Sequence, residues 1–124
     1  MQPSSPYILV VDDEEDIREI ISTVLELEGI PVLTAQNGRD ALNKLKQTTQ
    51  PPALILLDLM MPEMDGFGFI ENLRQGEVPH AKSAPIIVVT AFSQKETPAG
   101  AAGLLTKPVP LDKLISVVKE YVKS

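Results

Sequence analysis

The sequence contains no cysteine, which excludes disulfide staples and thiolate metal sites. It carries 11 lysines and arginines against 17 aspartates and glutamates, for a formal net charge of -6. A chain so short of positive charge does not hold nucleic acid or an anionic membrane by bulk electrostatics. No apolar run reaches the length of a membrane span. The opening Met1-Gln2-Pro3-Ser4-Ser5-Pro6 has neither the basic region nor the apolar core of a secretory signal. No glycine-rich phosphate loop follows the first apolar run, which speaks against a nucleotide-binding fold. The single histidine, His80, falls in a polar stretch and is expected to be solvated. At 124 residues the chain can build one domain with a proper core. What remains is an acidic, cytoplasmic, single-domain protein, with residues 1–6 as a flexible lead and 7–124 as the domain.

Against these absences stands one stretch, Leu54 to Gly66, reading LILLDLMMPEMDG. Its continuous apolar run fits a strand buried on both faces of a parallel sheet. The run stops at a single carboxylate, Asp58, and Pro62, Asp65 and Gly66 turn the chain at once. Tyr7 to Val11 is a second apolar run, ending in Asp12, Asp13, Glu14, Glu15 and Asp16. From there Ile17, Ile20, Ile21, Val24 and Leu25 keep helical spacing, with acids in the first turn, where the helix dipole favours them. Pro31 to Ala35 is a short strand whose proline suggests a sheet edge. Ala41, Leu42 and Leu45 stripe a second helix, and Phe67, Ile70 and Leu73 a third, with Asp65 as its N-cap. Residues 76–84 read as a loop. Pro85 to Thr90 and Leu104 to Thr106 are two more strands, and Leu111, Leu114, Ile115, Val118 and Val122 line a last helix. Strands alternating with helices predict an α/β, doubly wound parallel sheet of five strands.

In such a sheet the strand ends share one edge, where open α/β folds bind ligands. Here that edge collects Asp12, Asp13, Asp58, Thr90 and Lys107. Taken singly, each has an ordinary role as a cap, a strand-end residue or a solvated charge. Together, three carboxylates suit a hard divalent cation such as Mg²⁺. A hydroxyl and an ammonium beside them supply donors for the oxygens of a phosphoryl group, and a carboxylate can itself attack phosphorus.

VDDE at 11–14, DLMMPEMDG at 58–66, TA at 90–91 and KP at 107–108 resemble, in order, the motifs of the receiver domain of two-component response regulators, including single-domain chemotaxis regulators. The resemblance runs from about Tyr7 to the end. It implies a flavodoxin-like sheet ordered 2-1-3-4-5, with Asp58 as phosphoacceptor and Asp12 and Asp13 as the Mg²⁺-binding acid pair. Asp58 and the Met60 backbone carbonyl complete that metal set, Thr90 is the switch hydroxyl, and Lys107 contacts the phosphoryl group. It implies a cis Lys107–Pro108 peptide. It also implies a histidine kinase or histidine phosphotransfer protein as phosphoryl donor, an unspecified downstream protein target, and no catalysis beyond the domain's own phosphorylation and dephosphorylation.

The sequence departs from the family at two places. Leu104 stands where the family usually has Tyr or Phe. Only Ala91 to Gly103 link the fourth strand to the fifth, which implies a shortened or missing helix in that crossover, with Thr97 and Pro98 as the start of any turn that forms. Few large apolar anchors lie there, so the segment is expected to be locally unstable. An alternative function follows, a receiver-like protein-interaction module with non-standard switching. An aspartyl phosphohydrolase of the haloacid-dehalogenase type is disfavoured, because Met60 stands where it needs a second aspartate.

Overall fold

β1 (Ile8–Val11), β2 (Val32–Ala35), β3 (Leu54–Leu57), β4 (Ile86–Thr90) and β5 (Gly103–Thr106) form one parallel sheet in the order β2-β1-β3-β4-β5. The structure, a computed structural model, describes residues 6–61, 64–91 and 97–122. Helices α1 (Glu15–Leu27), α2 (Gly38–Lys46), α3 (Gly66–Arg74) and α4 (Leu111–Val122) flank the sheet. The flavodoxin-like order expected from the motifs is therefore present. Met1 to Ser5 of the expected lead lie outside the described residues.

The apolar strands read as continuous because both of their faces are covered. Leu9, Val11, Ile55, Leu57, Ile86 and Val88 pack in one core with Ala41, Leu42 and Leu45 of α2 and Phe69, Ile70 and Leu73 of α3. The alternate residues Ile8, Val10, Leu54, Leu56, Ile87 and Val89 pack on the other side with Ile21 and Leu25 of α1 and Leu114 and Val118 of α4. Each such side chain, fully buried, contributes about 1.5–3 kcal/mol of burial. This sandwiching holds β3 rigidly in mid-sheet. β2 lies at the edge as expected, and the Lys44 ammonium caps its Thr34 carbonyl at 2.6 Å.

Two local expectations are corrected. Residues 76–84 contain a 3-10 turn, Pro79–Ala81. His80 in that turn is not simply solvated: its Nε2 lies 2.9 Å from the Thr48 hydroxyl. That hydroxyl also lies 2.8 Å from the Leu45 carbonyl, to which it donates. The Tyr7 hydroxyl donates to the Gln50 carbonyl at 2.8 Å and lies beside the same threonine.

The crossover from β4 to β5 contains no helix among the described residues, and Thr97 and Pro98 lead into a turn instead. Its described part from Thr97 on is nonetheless anchored. The Arg74 guanidinium, at the end of α3, donates to the Gly100 carbonyl through Nε at 3.1 Å and Nη2 at 2.7 Å. It also donates to Lys82 O at 2.7 Å and Ala84 O at 2.8 Å. Pro98 is buried, and the Ala102 amide bonds Ile86 O at 2.7 Å. One cation thus ties the entries of β4 and β5 to α3; residues 92–96 of the segment expected to be unstable lie outside the described residues. Gly100 has φ +90°, and a Cβ there would lie 2.7 Å from Cγ2 of Ile70, which is buried. Gly100→Ala is therefore expected to cost about 2 kcal/mol or more in thermal or urea unfolding, from backbone strain plus the clash. Gly29→Ala is the control: Gly29 has φ +78° with nothing within 4 Å of a Cβ, so it should lose distinctly less. Equal losses would mean that the Ile70 contact yields freely.

Candidate functional site

The parallel register lines up the strand ends. Val11 is level with Leu57, Leu57 with Val88, and Thr90 with Thr106. The residues that follow β1, β3 and β5 are Asp12, Asp58 and Lys107, and Thr90 closes β4. The Asp58 amide bonds Val11 O at 3.0 Å and the Lys107 amide bonds Thr90 O at 2.9 Å, which fixes the backbone on which these side chains stand.

The chain after Asp58 folds back on itself. Gly66 opens α3 directly against the tip of β3, where a Cβ would lie 2.7 Å from Leu59 Cα and 2.8 Å from Asp58 O. Its amide bonds Leu59 O at 3.1 Å. Asp65 is the N-cap as expected, its carboxylate accepting from the Gly68 amide at 2.9 Å. Only glycine lets the helix start so close to the acid-bearing strand end.

Asp12 and Asp58 are 4 % and 6 % exposed and Thr90 is 0 % exposed, so this edge holds polar groups at core-like burial. Lys107 Nζ donates to Asp12 Oδ2 at 2.7 Å and lies 3.5 Å from Asp58 Oδ2 and 3.6 Å from Glu14 Oε1. Asp58 Oδ1 accepts the Met60 amide at 3.2 Å, and the Thr90 hydroxyl also bonds this carboxylate. Burial pushes the Asp58 carboxyl above the usual carboxylate range. The Met60 amide, the Lys107 charge and the Thr90 hydroxyl oppose that rise, while the Asp12 charge adds to it. Burial acts to lower the Lys107 ammonium, but the hydrogen bond and charge of Asp12, with Asp58 and Glu14, outweigh it and hold it above the ordinary lysine value.

Asp12, Asp13 and Asp58 each bring a carboxylate oxygen to one point, all within 4.8 Å of one another. Asp13 is exposed, so this all-oxygen cluster opens to solvent on one side. Hard oxygen donors at this spacing fit a divalent cation such as Mg²⁺ better than a soft metal. The Met60 side chain is 59 % exposed beside the cluster. Leu104 pairs with Val88 and packs part-buried on the α2–α3 side of the sheet. The Lys107–Pro108 peptide is cis.

Two contacts escape a reading by strand ends. The Arg18 guanidinium, one turn into α1, donates to the Asp12 backbone carbonyl at 2.7 Å. Glu14, expected only as an acid at a helix start, reaches Lys107 and makes no side-chain capping bond. The run of acids at 12–16 is the sequence signal for Glu14; nothing in the local pattern points to Arg18.

Comparison with known proteins agrees with this geometry. The response regulator receiver domain profile matches residues 8–119. An uncharacterized 14.6 kDa protein of Leptolyngbya boryana is 40% identical over 92% of this chain and 88% of its own length. The regulatory protein AtoC of Escherichia coli is 36% identical over 94% of this chain, which spans only 25% of that protein. The sensor histidine kinase CheAY of Helicobacter pylori is 35% identical over 98% of this chain and 15% of its own length. Among solved structures, chemotaxis protein CheY4 of Vibrio cholerae superposes with a TM-score of 0.83 at 31% identity, covering 95% of this chain and 99% of that one. Response regulator TrrA of Thermotoga maritima, solved in complex with Mg²⁺–BeF, gives 0.79 at 34% identity over 94% and 98% of the two chains. With its profile running from β1 into α4 and its sheet shared with these regulators, the chain belongs to the response regulator receiver domain family.

Proposed function

We propose that the protein is a phosphorylation-switched signalling domain, spanning 7–124, that accepts a phosphoryl group on Asp58 from a histidine kinase or histidine phosphotransfer protein. The observation that carries this reading is the set of donors on one carboxylate: Asp58 is 6 % exposed at the tip of β3, with Lys107 Nζ at 3.5 Å and the Thr90 hydroxyl on it. An Asp58 oxygen forms a bond to phosphorus as the phosphorus–nitrogen bond of a protonated phosphohistidine breaks. The electron pair stays on nitrogen, and neutral imidazole leaves. Lys107 and Thr90 are placed to hold the phosphoryl oxygens as charge redistributes. Asp12, Asp13, Asp58 and the Met60 carbonyl would hold Mg²⁺, which when bound neutralises charge on the transferring group. With Asp58 only 6 % exposed, its carboxylate is approached from the open side of the acid cluster alone. The domain is a self-modifying substrate, not a turnover enzyme. The proposal places it in the cytoplasm, where ATP-fuelled kinases act, and its output is contact with a downstream protein target.

The similarity to a sensor histidine kinase and to a regulatory protein supports a place in phosphoryl signalling. A second reading, an interaction module with non-standard switching, is favoured by Leu104 and by the absence of a helix among the described residues of the β4–β5 crossover. Binding of beryllofluoride with Mg²⁺ separates the two. Chemical shifts that move at Thr90 and Leu104 together support coupled switching, whereas shifts confined to the acid cluster support the second reading.

Incubation with a small phosphoryl donor and Mg²⁺ is expected to add one phosphoryl group by intact mass, and Asp58→Asn to abolish it. Labelling that persists in Asp58→Asn removes the core of the reading. In a Mg²⁺ titration followed by thermal shift, Asp13→Ala is expected to weaken binding about tenfold or more and Asp12→Ala less, since Asp12 already serves Lys107. Equal and negligible losses would place the metal elsewhere.

A further inference from the structure

Among the described residues Lys107 has three acidic neighbours, and they differ in where they lie. Asp12 and Asp58 are buried, with side chains 5% and 7% exposed. Glu14 is 63% exposed, and its Oε1 stands 3.6 Å from the ammonium on the solvent side. Any donor that brings phosphorus to Asp58 must present its oxygens to Lys107, and it meets the Glu14 carboxylate on the way. Glu14 is the N-cap of α1, yet its side chain makes no capping hydrogen bond, so its carboxylate is not committed to holding the helix. The Arg18 guanidinium, one turn along α1, does not pair with it among the described residues: it is turned to the Asp12 carbonyl at 2.7 Å.

From this arrangement we infer that Glu14 is a specificity-determining residue, one that disfavours small dianionic phosphoryl donors relative to less charged ones. The inference rests on Asp58 being the phosphoacceptor. A negative charge next to the one ammonium a phosphoryl group needs raises the energy of an approaching dianion more than that of a monoanion. Donors held on a protein carry side chains of their own, and a lysine or arginine beside the phosphoryl group turns the Glu14 charge from a barrier into a contact. The site is thereby biased toward phosphoryl groups presented by a cationic protein surface.

The test uses two small donors that differ in charge. Acetyl phosphate is a dianion near neutral pH. Attack by Asp58 breaks its phosphorus–oxygen bond, and acetate leaves with the electron pair. Phosphoramidate reacts as its less charged zwitterion. Its phosphorus–nitrogen bond breaks, and the ammonium group leaves as ammonia. Glu14→Gln is expected to raise the labelling rate with acetyl phosphate roughly three- to tenfold at low ionic strength, and to raise that with phosphoramidate distinctly less. The difference should collapse in about 1 M salt, where the screening length falls to about 3 Å. Glu14→Asp, which keeps the charge, should retain the wild-type preference. Glu15→Gln, which removes an equal charge from the same helical turn, should leave it unchanged. An equal gain with both donors, a gain that survives salt, or the same gain in Glu15→Gln overturns the inference. Wild type that labels normally with both donors, with Glu14→Gln no different, overturns it while leaving Asp58 as phosphoacceptor. Wild type that neither donor labels overturns both.

Discussion

Two carboxylates buried at one end of an apolar sheet repel each other and have lost most of their hydration, and the fold tolerates them because one ammonium faces both. Lys107 reaches Asp12 at 2.7 Å and Asp58 at 3.5 Å, and its own charge is stabilised in return. Burying an unpaired ion costs several kcal/mol, so neither acid could stand at this depth without that partner or a metal. The rest of the architecture serves this meeting. The parallel order sets β3 between β1 and β4 and carries β5 beyond β4; the register ends β1 level with β3, and β4 level with β5 two residues further along. Gly66 then lets α3 begin against the tip of β3 without pushing Asp58 aside.

Much of this is legible in the sequence, for identifiable reasons. Strands buried on both faces leave unbroken apolar runs, and the first polar residue after a run marks the sheet edge where the acids gather. Asp12, Asp58 and Thr90 are conspicuous on that ground; Lys107 stands one residue further on, after Thr106. What is not legible depends on partners far away in sequence. Arg74 holds Gly100 across 26 residues, and His80 meets Thr48 across 32. No periodicity within either segment encodes such a pairing. Pro98 and Gly100 point to a truncated helix because local composition has nothing to say about a guanidinium arriving from α3.

The Arg74 arrangement also explains how the sheet tolerates so short a connection. A helix in a crossover ordinarily fixes the next strand by packing area. Here hydrogen bonds from one cation to three carbonyl groups do part of that work at the entries of β4 and β5. Bonds to a charged donor are about twice as strong as neutral ones, but they are directional and few. The surface beside α3 is left correspondingly open, with Phe67 47 % exposed on it.

Asp12 and Lys107 lie 95 residues apart, near the two ends of the domain. β5 docks only onto β4, so the cation arrives with the last strand of the sheet to be synthesised. Closing a longer loop adds only about 0.6 kcal/mol for each doubling of length, so distance alone is no obstacle. Timing is. A chain that pairs β1 and β3 before β5 is made would hold these acids side by side without their lysine, and a bound cation or added protons would have to stand in for it. The lysine pairing at the acidic edge is thus a mark of a finished domain, and a product that stops short of β5 carries its own electrostatic penalty.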